Sequence, residues 1–534
     1  MLIDFQSESD LGSLDADLMI VGTGPAGLSI ALQFLNSNKN VILLEGGGLE
    51  WSAESQKVYE GESIGAWYFP LDLARLRYFG GTSGHWSGWC RPLDPADFKR
   101  KAYIPYSGWP ISYEDLAPYL APTHEILDLG PVNYDAKSLP FPEGTTPEFD
   151  DAKIIFKPWR FSPPTRFNEK YMETFARSDN VTVFYNANVT NLTLTPDLNR
   201  AVSLEVRDYG GKRRTATADY FVLAMGGIET ARFLLNCRDQ IDAGIGNGFD
   251  NVGRYWMEHP ELVTADLLSI QGGDQLLSSI HRFPDQDYEV RNAYGSSEAY
   301  RDRHQVANCS NTALYGTSWR EIRGLKALYR LKRDVLLGEF SRLGDHLKQL
   351  FKHIDGAILG GASELGLTDP VDAFTVYSRA EQVPNPDSRL YLQREQDRFG
   401  HNRIALDWRL TELDQRTIIA SLEGLAEELG RLGIGRLRMP DWLIEEDINA
   451  WGVRLEGGRH HMGGLRMSDS PRDGVVDKDS RIHGIDNLYV AGSSVFTTGG
   501  YANPTLTVVQ LALRLADHLK ARLDGFYSAG ASAG

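Results

Sequence analysis

"DADLMIVGTGPAGLSIALQFLNSNKNVILLEGGG", residues 15–48, is the stretch from which the fold can be read. The apolar run Leu18–Val21 meets Gly22, Gly24 and Gly27, a helical pattern follows to about Leu35, and a second apolar run, Val41–Leu44, ends on Glu45. That order is strand, glycine loop, helix, strand. Gly22 permits the tight turn, Gly24 lets the backbone approach a pyrophosphate, and Gly27 lets helix and strand pack closely. Ala26 lies in the same turn, at the helix N-terminus that supplies N–H donors and a positive dipole end. Glu45 stands where a carboxylate can take both hydroxyls of an adenosine ribose and disfavour a 2′-phosphate, so FAD or NAD is expected rather than NADP.

Composition narrows the partners. A chain of 534 residues has ample core, and its formal charge of −17 argues against nucleic acid or an anionic membrane as the main partner. The N-terminus shows no basic region followed by an apolar core, and no apolar run approaches a membrane span, so a cytoplasmic location is expected, with export beside a signal-bearing partner as the alternative. Cys90, Cys237 and Cys309 are too scattered for a disulfide framework, a zinc site or an iron-sulfur site, and no metal centre is expected. Residues 321–353 hold eight Lys or Arg against four Asp or Glu, a balance of +4 in an acidic chain, and read as a helical insertion packed on its neighbours.

"RIHGIDNLYVAGSSVFTTGGYANPTLTVVQLALRLADHLK", residues 481–520, is a short strand, a glycine and serine turn at Gly492 and Ser493, and a long amphipathic helix beginning at Pro504 and Thr505. It looks like a second dinucleotide-contacting element, and here the chain resembles the glucose-methanol-choline (GMC) oxidoreductases, FAD enzymes that oxidise alcohols. "RYFGGTSGHWSGW", residues 77–89, is similar to the family's loop along the flavin. "NVTVFYNANVTNL", residues 180–192, is similar to the strand whose backbone, at Val189, meets the adenine. "ADYFVLAMGGIETARFLLNC", residues 218–237, "NVGRYWMEHP", residues 251–260, and "AEQVPNPDSRLYL", residues 380–392, follow in the family's order.

The resemblance implies an α/β fold, α+β overall. A Rossmann-type FAD-binding domain would be assembled from residues 1–110, 180–262 and 455–534. A substrate domain on a mostly antiparallel sheet would come from 111–179 and 263–454, with the helical insertion near 320–360. It places Gly80, Gly81, Ser83, Gly84, Trp86 and Ser87 along the flavin, and His85 where covalently flavinylated members carry their linkage; covalent and noncovalent attachment both stay open.

Oxidising an alcohol requires hydride transfer to flavin N5 and a base for the hydroxyl proton. The family sets a histidine at the start of a His-x-x-Gly pattern, and His460, Gly463, Arg466 and Met467 fit that register while His461 does not. In an extended segment only one of two adjacent side chains faces the flavin, and a histidine base titrating near neutrality is expected. Asn503 matches the family's second catalytic position, although Asn before Pro504 also suits a helix cap. Arg379, Glu381 and Gln382 are candidate partners of substrate hydroxyls.

These readings describe an FAD-dependent oxidoreductase acting on a CH–OH group of a sugar, glycoside or other polyol. The alternatives are a non-sugar alcohol dehydrogenase or oxidase of secondary metabolism and a flavin-binding protein without turnover. Electrons would pass to oxygen or another acceptor, and the resemblance leaves room for a small subunit or a cytochrome.

Overall fold

The computed structural model describes residues 1–7, 14–139, 141, 146–270, 280–283, 288–315 and 373–531. The basic segment 321–353 lies outside the described residues.

A largely parallel sheet forms one layer. Its order is Leu2–Asp4, Val181–Tyr185, Val41–Leu44, Leu14–Val21, Arg213–Leu223, Ala201–Arg207 and Asn188–Leu194, with Leu488–Val490 also on Arg213–Leu223. The last two strands of that path run antiparallel, and the pairs around Leu14–Val21 are parallel. All four residues of Leu18–Val21 and all four of Val41–Leu44 are buried, as strands covered on both faces require. The first strand starts at Leu14 rather than Leu18, because Leu14–Ala16 pair with Ala216–Ala218. The helix Pro25–Leu32 ends before the expected Leu35, and the long helix Thr505–Ala531 packs against it.

The second large sheet is antiparallel throughout its named pairs. It runs Gly435–Arg438, Pro260–Ser269, Ala373–Ala380, Cys309–Tyr315, Tyr294–Ser296 and Ile154–Phe156, with Glu456–Gly457 also on Pro260–Ser269. The helix Glu412–Leu432 lies on this sheet. It opens with a capping box in which Thr411 and Asp414 exchange hydrogen bonds, and closes at Gly433 with φ 70°.

Two short pairings link segments far apart in sequence. Gly61–Gly65 runs parallel to Asn402–Trp408, and Trp89–Cys90 pairs with Trp159–Phe161. One continuous core carries Ile20 and Val222 of the parallel sheet together with Leu262 and Val376 of the antiparallel one. The two sheets are therefore held at a fixed mutual position, which matters because the site draws on both. Among the described residues no helix is long and apolar enough to cross a membrane.

The glycine loop is a close approach of backbone to backbone. A Cβ at Gly27 would stand 2.1 Å from the Gly22 carbonyl oxygen, and Gly22 itself sits at φ +104° against Ala224. Gly27→Ala must push the helix off the strand, at a cost of about 1–3 kcal/mol typical of overpacking. A lower melting temperature together with lost flavin retention is the expected outcome; a variant that melts and retains flavin like the parent would refute the packing role.

Candidate active site

The site begins where strand pairing breaks. Pro260 pairs with Gly457 and Met257 with Met462, both antiparallel, so Glu258 and His259 face Gly458, Arg459, His460 and His461 across the gap. The longer side bulges, and Arg459 takes up the turn at φ 59°. Beyond the bulge Gly463 bonds to Ser493 and Leu465 to Ser494, fixing the loop on its other edge. Gly463 has φ +71°, and a Cβ there would lie 2.0 Å from the Tyr255 carbonyl oxygen. This explains why a glycine stands in the register three residues after His460.

The bulge joins the two histidines in a hydrogen-bonded row. His460 Nε2 lies 2.9 Å from Asn503 Nδ2, His460 Nδ1 lies 2.8 Å from His259 Nδ1, and His259 Nε2 lies 2.9 Å from the Gly500 carbonyl oxygen. Asn503 Oδ1 accepts from Arg379 Nη1 at 2.7 Å, so the Asn503 side chain is engaged by site residues at both ends. Arg379 donates from Nε to Glu261, whose other oxygen accepts from Tyr377 Oη at 2.7 Å. The guanidinium is also held over Trp89 and Trp159, 4.9 and 5.0 Å from the ring centroids. Below the row, Glu258 accepts the backbone N–H groups of His259 and His460 at 2.8 Å and the Tyr68 hydroxyl at 2.6 Å.

Burial dominates the titration of this cluster. It pushes Glu258 up to about 7 despite its donors, and together with the Arg379 charge it pulls His259 down to about 4. For Glu261 burial acts upward but the Arg379 guanidinium outweighs it, and the carboxyl sits below its ordinary value. Burial, reinforced by His259 and Arg379, holds His460 well below 6.5, which revises the expected base near neutrality downward. Glu258, His259 and His460 also bring ligand-type atoms within 4.8 Å of one another, with the two ring Nδ1 atoms hydrogen-bonded to each other and the Glu258 oxygens engaged by backbone N–H groups and the Tyr68 hydroxyl.

Both His460 and His461 border the cavity, so the strict alternation expected of an extended segment does not hold in the bulge. What separates the pair is bonding. His461 Nε2 has no hydrogen-bond partner, and its ring packs near Tyr68 and Trp256 at centroid distances of 6.1 and 6.0 Å. Burial, with the Arg75 charge, lowers His461 to about 3.

One cavity of about 370 Å³ connects this cluster to the glycine loop. At the far end it is bordered by Gly22, Gly24, Ala26, Glu45 and Val189. Gly81, Ser83, His85, Trp86 and Ser87 follow along its length, and Gly492, Ser493, Pro504 and Thr505 border it beside His460, Asn503 and Arg379. Gly27, Gly80 and Gly84 stand behind this wall and serve close packing; a Cβ at Gly80 would lie 2.7 Å from the Asn168 nitrogen.

The residues present fit a dinucleotide. The helix Pro25–Leu32 starts at Gly24 with no side chain capping it, leaving its first N–H groups for an anion, and a Cβ on Gly81 would come within 3.1 Å of the Gly24 Cα. Glu45 Oε2 accepts from the Thr23 N–H and hydroxyl, and Oε1 accepts from the Gly47 N–H. One acceptor position therefore remains on Oε1, against the two hydroxyl contacts expected from sequence.

Two of the three candidate substrate partners are employed elsewhere. Glu381 accepts from the Gly500 and Asn308 backbone, and Gln382 Oε1 accepts from Glu258 N–H and Trp408 Nε1. Neither borders the cavity, whereas Arg379 does. Glu258 and His259 lie within "NVGRYWMEHP" and Glu261 directly follows it, yet no local motif marks them as site residues. The only signal for them was a pair of acids and a histidine crowded into an otherwise apolar stretch.

The cavity that joins the glycine loop to a buried, hydrogen-bonded imidazole fits a flavoprotein oxidoreductase, with FAD as its cofactor. Residues 384–512 match the model of the GMC oxidoreductase family. The chain is 24% identical to the fructose dehydrogenase large subunit of Gluconobacter japonicus, over 95% of this chain and 98% of that one. It is also 24% identical to 2-methyl-1,2-propanediol dehydrogenase of Mycolicibacterium austroafricanum, over 95% and 96%. The solved structure of a formate oxidase superposes with a TM-score of 0.53 at 17% identity, covering 96% of this chain and 99% of that one, a likeness of fold.

Glu45→Arg places a cation where the ribose hydroxyls would be and removes the acceptor that holds Thr23 and Gly47. The purified variant should be mostly free of FAD, as read by absorbance against protein concentration. Full occupancy would show that Glu45 does not hold the ribose.

Proposed function

We propose that this chain oxidises a CH–OH group of a sugar, glycoside or other polyol to the carbonyl, with His460 as the base and Asn503 as its partner. The observation that carries the reading is the 2.9 Å contact between His460 Nε2 and Asn503 Nδ2 beside the cavity. FAD, when bound, supplies the acceptor for the hydride. A hydroxyl entering between the two side chains accepts from Asn503 Nδ2 and gives its proton to His460 Nε2. Arg379 holds the Asn503 carbonyl oxygen, so the amide turns its N–H toward the substrate. Two relatives spanning nearly the whole chain are named for a sugar and a diol, which supports a polyhydroxylated substrate. The name of the first, a large subunit, supports a partner subunit as the route for electrons.

On this reading Glu45 and the Gly24 turn hold the adenosine and pyrophosphate, and Val189 the adenine. The loop from Gly80 to Ser87 covers the ring system. His85 is kept neutral by burial and by the charges of Arg459 and Arg166, with its pKa lowered to about 4. A neutral imidazole bordering the cavity has a free nitrogen lone pair, which supports a covalent link to the cofactor. Acid precipitation reads this directly: yellow colour should stay with the wild-type pellet and leave with the supernatant in His85→Ala. Colour released from the wild type would exclude the link.

The catalytic assignment is tested by flavin bleaching without oxygen, first against a panel of sugars, glycosides and simple alcohols, then at saturating substrate in variants. His460→Ala should slow reduction by about 100- to 10,000-fold while FAD stays bound. His461→Ala should act far less. Asn503→Ala should fall between, losing a hydrogen bond worth about 1–3 kcal/mol when left unmade. Because burial holds the His460 pKa well below 6.5, the ring takes up a competing proton only in acid, and protonation of the base should cut the wild-type rate only on the acid side of an ordinary histidine. A larger loss in His461→Ala than in His460→Ala would contradict the assignment.

A further inference from the structure

The row of ring nitrogens admits one arrangement of protons. The Gly500 carbonyl oxygen can only accept, so His259 Nε2 donates to it. His259 is buried and neutral, so its Nδ1 carries a lone pair. The facing Nδ1 of His460, 2.8 Å away, must then be the donor. A neutral imidazole holds one proton, which leaves His460 Nε2 bare. The opposite end of the row gives the same answer. Arg379 can only donate, so Asn503 presents Oδ1 to it and its NH₂ to His460, and that NH₂ needs an unprotonated Nε2 to receive it.

We propose that His259 is a positioning residue that locks His460 in the Nδ1–H tautomer, so that Nε2 meets the substrate hydroxyl as a ready acceptor. The assignment rests on His460 being the base. No other acceptor among the described residues replaces His259: the Glu258 and Glu261 oxygens stand 3.9 and 3.8 Å from His460 Nδ1, beyond hydrogen-bond reach. They are close enough to act on charge. As Nε2 takes the proton, both carboxylates favour the imidazolium, while the Nδ1–H bond to His259 persists and keeps the ring from turning. His259 is itself anchored by the Gly500 carbonyl, one peptide chain segment away from Asn503, so the orientation of the base and that of its partner are set by the same loop.

Long-range ¹H–¹⁵N spectra of protein labelled at histidine read the tautomer without turnover, with His460 assigned by the signals lost in His460→Ala. The wild type should show a protonated Nδ1 and a bare Nε2; a protonated Nε2 would overturn the proposal. In His259→Leu the His460 proton should redistribute toward Nε2. Anaerobic flavin reduction should slow about 10- to 100-fold at unchanged FAD content, the scale of losing an orienting partner. His259→Asn, whose Oδ1 can still accept from Nδ1–H, should restore most of the rate. A His259→Leu protein with wild-type tautomer and rate would overturn the positioning role. Wild-type reduction in His460→Ala would instead remove the base assignment, whatever the spectra show.

Discussion

The Glu258 carboxylate is the interaction on which the site depends. It has no exposure to solvent and, among the described residues, no guanidinium or ammonium against it, yet it receives the N–H groups of His259 and His460 and the hydroxyl of Tyr68. Each donor comes with its own piece of backbone: the strand entry at 257–261, the bulge at 458–461 and the segment around Tyr68. A buried carboxyl group is costly unless its oxygens are satisfied, so the three pieces are held in the one arrangement that satisfies them. Burial still outweighs these donors and raises its pKa to about 7.

From that anchor the charges of the cluster alternate. Arg379 lies over the rings of Trp89 and Trp159, is compensated by Glu261, and donates from Nη1 to Asn503. Two histidines lie between this ion pair and Glu258, both kept neutral by burial. For His460 in its proposed role this balance is the one a base needs: the dry surroundings favour its neutral form, and the negative charge nearby favours its protonated form. The two large sheets each contribute to this balance, with Arg379 and Glu261 on the antiparallel one and the cofactor cradle on the parallel one.

Much of the fold was legible because its signals are local. The strand–glycine–helix–strand unit and Glu45 follow from one contiguous stretch, and Val41–Leu44 begins and ends where the apolar run does. The position of His460 could be read from Gly463, whose role is now evident as contact with the Tyr255 carbonyl. His259 was not legible, since its meaning depends on a pairing between residues some two hundred positions apart and on a bulge that no periodicity announces. Glu381 and Gln382 stand beside Arg379 in sequence, but their side-chain oxygens accept backbone N–H groups of Gly500, Asn308 and Glu258, a long-range engagement that no local pattern announces. The pairing of Gly61–Gly65 with Asn402–Trp408 was equally hidden, as parallel partners carry no turn signal between them.

Gly500 carries a consequence for how such a sequence can drift. Its carbonyl anchors His259, its N–H is held by Glu381, and with φ +54° a Cβ would stand 2.6 Å from an Asp97 oxygen. Asp97 in turn accepts from Asn308, which also contacts Lys157 and Arg301 in a buried charged cluster reaching Asp94. None of these side chains bonds to His460, yet each helps set the Gly500 peptide that holds His259. Related chains should therefore exchange Asp97, Asn308, Glu381 and Gly500 as a block or not at all, and a single replacement grafted from a relative should be tolerated least where the rest of the block is foreign.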